Sequence, residues 1–150
     1  MSLFLSQTEL RGLNKVGDLV IPGGYGFPSF SETGCINHVD EVMAPTPEAD
    51  VKDFKLLMKV FSVAPVFLIK GILKLLDKES AFPEPIGGLL RLLNVGIKGV
   101  VFSLYYSGKS SDFYQGPSVH EAMGYQVHCE PVEDEQGKSE TNKPNGSVAR

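Results

Sequence analysis

Cys35 and His38 stand three residues apart, the spacing at which a thiol and an imidazole on one helix face can meet. A cysteine nucleophile needs such a base, and a carboxylate to orient the base. Gly34-Cys35 falls inside an amphipathic pattern, however, where a small buried cysteine is the commoner outcome. With His128 and Cys129 the same pair makes a two-sulfur, two-imidazole ligand set of the kind zinc takes. The spacings are not those of ribbons or fingers, and adjacent ligands on an extended chain point apart. Cys35 and Cys129 therefore leave three states open: a disulfide between them, two free thiols, or a bond to another chain. Asp40 and Glu41 are helix neighbours, so they diverge and make no matched acid–base pair. Gly24-Tyr25-Gly26-Phe27-Pro28 lacks the preceding strand and following helix of a dinucleotide loop. The reactive residue types do not converge. The expectation is a chain with no catalytic residue, no metal and no cofactor of its own, which works by binding.

The elements that carry these residues read as helices. Ser6-Gln7-Thr8-Glu9 is a capping box, and Leu10, Leu13, Val16 and Val20 recur behind it at helical spacing until Pro22. Three glycines and a proline then make 23–28 a loop. A second helix is predicted from residue 30 or 31 to 43, burying Ile36, Val39 and Val42 or Met43. Val51, Phe54, Leu57, Met58 and Phe61 form the apolar stripe of a third, opposite Lys52, Lys55 and Lys59. Pro65 starts a new helix or a kink, and Val66–Leu76 follows. There Lys70, Lys74, Asp77 and Lys78 crowd one side and leave an apolar arc wider than a surface helix needs. Phe67, Ile69, Ile72 and Leu76 on that arc are the candidate partner surface. Residues 86–106 are a long apolar stretch whose glycines suit a neighbouring helix at close range. A short helix follows from Ser118 to Met123, closed by Gly124. The segment 125–129 could be extended, but one such piece makes no sheet. The fold expected is all-α, an irregular bundle of about five to six helices with long Gly/Pro-rich loops. One domain over 1–130 precedes a polar tail, 131–150, that reads as disordered.

The bulk numbers fit. A chain of 150 residues with 42% hydrophobic and 21% charged residues can bury a core without staples. Formal net charge is −4, which argues against nucleic acid. Residues 51–98 hold eight Lys/Arg against four acids, a basic centre between acidic ends that suits docking on an acidic surface or a headgroup layer. Residues 54–76 and 86–106 are long enough to span a bilayer. Their internal charges, at a cost of about 2.5 kcal/mol or more each at mid-bilayer, make both poor spans. Burial against protein is the favoured reading, with the membrane interface as the alternative. The opening Met1-Ser2-Leu3-Phe4-Leu5 lacks the charged region and long apolar run of a secretory signal, so the chain as written reads as cytoplasmic.

Leu5-Ser6-Gln7-Thr8-Glu9-Leu10, then Ile21-Pro22-Gly23-Gly24, then Pro28 to Gly34 with Glu32 before that glycine, then His38-Val39-Asp40, come in a recognisable order. Tyr105-Tyr106 and Ala122-Met123-Gly124-Tyr125 extend it. This order resembles the gluconate 2-dehydrogenase subunit 3 family, well over residues 5–42 and loosely over 105–125. The family-like positions are Ser6, Glu9, Ile21, Pro22, Gly23, Glu32, Gly34, Asp40, Gly124 and Tyr125. The resemblance implies a non-catalytic accessory subunit that supports a large FAD-dependent dehydrogenase of the glucose–methanol–choline type, acting on sugars or aldonates. FAD and haem c would then sit on the large subunit and on a cytochrome c subunit. The resemblance also implies periplasmic or membrane-associated residence, although the leader many members carry is missing from the sequence as written. The alternative is a freestanding helical module that binds a lipid, a quinone-like ligand or a membrane surface.

Overall fold

A computed structural model describes residues 2–125. The expectations for His128, Cys129 and the tail 131–150 fall on residues outside these. Among the described residues there are seven α-helices and no strand: α1 Gln7–Val20, α2 Phe30–Thr33, α3 Val39–Met43, α4 Glu48–Val63, α5 Val66–Leu76, α6 Ile86–Tyr105 and α7 Val119–Ala122. Two 3₁₀ turns, Cys35–His38 and Glu79–Ala81, complete the chain order. The all-α expectation holds.

α1 is the centre of the assembly and crosses α4 closely. Gly12 makes the crossing possible, because a Cβ there would stand 2.0 Å from the Met58 carbonyl oxygen. One turn further on, Gly17 lies flat against the Phe30 ring. Leu13, Val16, Phe30, Met58 and Phe61 are fully buried around these two approaches. Each such side chain contributes about 1.5–3 kcal/mol through burial. The inner faces of α5 and α6 add Ile69, Leu76, Ile97, Val101 and Leu104 to the same core.

Three helices begin with the same device. Glu9, Glu32 and Glu121 each accept the amide of the serine three residues earlier, Ser6 at 2.6 Å, Ser29 at 2.6 Å and Ser118 at 2.7 Å. Ser29 and Ser118 also accept the amides of Glu32 and Glu121, which completes the box and satisfies donors that a helix start leaves open.

The single helix predicted over residues 30 or 31 to 43 is a correction. It is broken into α2, a 3₁₀ turn and α3. Gly34 is left-handed, φ 64°, and ends α2, as a glycine does at a helix C-terminus. The Thr33 carbonyl then accepts from Ser111 at 2.8 Å instead of continuing a helix, and Ser111 packs where a Gly34 side chain would be. A distant loop thus sets the break.

Candidate functional site

The reactive residues are occupied structurally. Cys35 is a buried free thiol whose Sγ faces the Phe30 carbonyl. Burial pushes its pKa up, the reverse of what an activated nucleophile needs. His38 turns Nδ1 to Glu41 and Nε2 to the Ser110 carbonyl, both at 3.3 Å. Glu41 also pairs with Lys109, and these two hydrogen bonds hold its carboxyl below the usual range. His38, Glu41 and Lys109 therefore clamp the loop after α6 onto α3. Asp40 accepts from the Ser2 hydroxyl, the Leu3 amide at 2.8 Å and the Phe4 amide at 3.4 Å, pinning the N-terminal segment. Partial burial works against its charge, but these donors outweigh it and lower its pKa. Among the described residues no group of three or more His, Cys, Asp and Glu is placed to hold a metal.

Glu9, another family-like position, is almost fully buried beside Lys59 at 3.5 Å. Burial raises its pKa, while the Ser6 hydrogen bonds and the Lys59 ammonium lower it, and the lowering wins. Ile21 and Gly23 act through backbone: Phe30 donates to the Ile21 carbonyl at 3.1 Å, and Gly23, at φ 74°, leaves no room beside Ser29 for a side chain. Pro22 is exposed where the chain leaves α1. Gly124, at φ 67°, ends the turn after α7, and Tyr125 lies beside the His120 ring.

What is left over is surface, and it takes three forms. The candidate partner surface on α5 is corrected first. Ile69 and Leu76 are buried in the core and Ile72 is half-buried, because they face α6 and α1. Only Phe67 of that set is offered outward, 76% exposed. The arc is apolar and divided: Ile69 and Leu76 meet the rest of the chain, while Val66, Phe67, Leu68 and Leu75 are exposed.

The outer face of α6 is the larger feature. Leu89, Leu92, Gly96, Gly99, Ser103 and Tyr106 follow one another at alternating steps of three and four residues, and all are exposed. Val95 and Phe102 border the stripe, and Arg91 is the charged residue on that side. Gly96 and Gly99 pack against nothing: a Cβ at either meets no atom within 4 Å. In an exposed helix interior each glycine costs about 1 kcal/mol relative to alanine. Neither left-handed backbone nor internal packing explains them. α6 is also, among the described residues, the helix with the length and composition of a membrane span.

The third surface is a pair of loops. Gly24 and Phe27 exchange two backbone hydrogen bonds, at 2.8 and 3.0 Å, around a two-residue turn of Tyr25 and Gly26. Tyr25, at φ 54°, is a non-glycine residue in the left-handed region with its ring wholly in solvent. Gly26, Phe27 and Pro28 line a groove of about 360 Å³ with Glu32, Tyr114 and Pro117, and Phe113 projects from the second loop. No sequence signal marked this juxtaposition, since residues 25–28 and 113–117 meet only through the fold.

No known family model, curated protein or solved structure matches the chain.

Proposed function

We propose that this chain is a non-catalytic helical subunit that docks on a larger protein through the outer face of α6. The observation that carries the reading is the exposed stripe from Leu89 to Tyr106 with its two unpacked glycines. A three-four-spaced stripe of uncharged residues, bordered by Arg91 and with small residues at its centre, suits another helix at close range. The Gly/Pro-rich loops bearing Tyr25, Phe27 and Phe113 add aromatic contact area of the kind interfaces use. The resemblance to the gluconate 2-dehydrogenase subunit 3 family supplies the partner: a large FAD-dependent dehydrogenase acting on sugars or aldonates, with a cytochrome c subunit beyond it. FAD and haem c belong to those subunits on this reading. The occupied state of Cys35, His38, Asp40 and Glu41 in holding the fold supports a binding role over a catalytic one.

The test is co-purification of the tagged chain from its native host, with the bound polypeptides identified by mass spectrometry. A large flavin-binding polypeptide in stoichiometric amount is the expected result. Its loss from a Leu92→Lys, Gly96→Leu variant with an unchanged circular dichroism spectrum assigns the contact to α6. Recovery of the chain alone overturns the proposal.

A further inference from the structure

The bend between α4 and α5 carries a different chemistry from α6. Val63 ends α4, Ala64 and Pro65 run extended at ψ 140° and 149°, and Val66 begins α5. Val63 is 82% exposed, and Val60, Val66 and Phe67 stand out beside it. The tip is braced from beneath, since the Lys15 ammonium of α1 donates to the carbonyls of Ser62 and Ala64. These are the carbonyls at the end of α4, where a cation is favoured. The tip is thereby tied to α1 through its main chain, and its side chains stay outward.

The segment that carries the tip holds charge of one sign. Residues 54–76 contain four lysines and no acid. Lys59 is partly neutralised by Glu9, while Lys70 and Lys74, three and seven residues after Phe67, are exposed on the same side of α5 as its ring. Protruding aliphatics and an aromatic, beside lysines that outnumber the acids, match an anionic lipid surface: the apolar tip enters the acyl boundary and the ammonium groups meet the headgroups. A soluble protein partner would need an acidic-rimmed apolar socket, whereas a bilayer with anionic lipid supplies both features everywhere.

We infer that the α4–α5 bend is a peripheral membrane-contact site, in which Val63 and Phe67 insert and Lys70 and Lys74 bind anionic headgroups. This goes beyond the docking role of α6 and uses separate residues, so either can fail alone.

The chain has no tryptophan, so Phe67→Trp creates a single fluorescent reporter at the tip. The probes are phosphatidylcholine vesicles with and without phosphatidylglycerol. A blue shift in emission with the phosphatidylglycerol vesicles, absent with phosphatidylcholine alone and reversed by salt, is the expected result. Lys70→Gln and Lys74→Gln in that background should each weaken vesicle binding about fivefold. Val63→Ser should weaken it further, and all four positions are exposed, so thermal melts should stay close to those of the parent. No shift with anionic vesicles, an equal shift with neutral ones, or binding indifferent to these three substitutions would overturn the inference. A shift that grows with protein concentration without vesicles would give the tip to a second copy and overturn it too.

Discussion

Gly12 of α1 lies so close to Met58 of α4 that a side chain at Gly12 would collide with the Met58 carbonyl oxygen. Helix backbones meet there without intervening side chains, and the same residue type plays an opposite part on α6. Gly12→Ala should destabilise the chain by about 1–3 kcal/mol or more, because main chain must move to admit one methyl group. Gly96→Ala or Gly99→Ala should stabilise the free chain by up to about 1 kcal/mol, since nothing crowds the added carbon. Urea midpoints for the three variants check both signs together; a Gly96→Ala variant as weakened as Gly12→Ala would refute the open face.

Tyr105 and Pro28 give a second test. The buried phenol donates to the Pro28 carbonyl at 2.6 Å and ties the glycine loop to the end of α6. Burial, with smaller contributions from nearby Tyr106 and Tyr114, raises its pKa, so it stays a donor through neutral pH. Tyr105→Phe should cost about 1–3 kcal/mol by leaving a buried acceptor unpaired. Thermal unfolding reads the loss, and hydrogen exchange should show faster opening at residues 23–28.

Acid should weaken the fold through Glu9 and Asp40. Both have folded pKa values below their unfolded ones, about 4.3 and 3.9. Their contribution is therefore complete above those unfolded values and is lost as pH falls through the lower folded ones. Urea midpoints across that acid range should fall steeply for the parent chain. Glu9→Gln keeps an acceptor for the Ser6 amide but removes a titrating group, so its profile should be flatter.

Cys35 predicts slow chemistry. The thiol is fully buried and its pKa is raised by that burial. In a Cys129→Ser background, a disulfide reagent should label Cys35 only as fast as the chain opens, and denaturant should accelerate the labelling by orders of magnitude. Rapid labelling of the native protein would show a more open core than the one described.

Much of the fold was legible because its signals are local. The run Ser6 to Pro22 spells cap, stripe and stop within one helix, and α4, α5 and α6 repeat that logic with their own stripes and prolines. Two of the three capping boxes, Ser29 with Glu32 and Ser118 with Glu121, were equally readable at a spacing of three residues and were missed. The helix predicted across Gly34 failed for one local and one non-local reason: Gly34 is a left-handed stop, and Ser111, more than seventy residues away, takes the Thr33 carbonyl.

The order of residues by itself determined the all-α class, the longer helices and the basic centre of the chain, since caps, periodicity and charge are properties of neighbours. Only the tertiary structure decided which side of each apolar helix is spare. Ile69 and Phe67 read alike along α5, yet one is core and the other solvent-facing. Gly12 and Gly96 read alike as helix glycines, yet one is pressed against α4 and the other faces open space. Burial depends on what the rest of the chain brings to a face, and periodicity records only that the face is apolar.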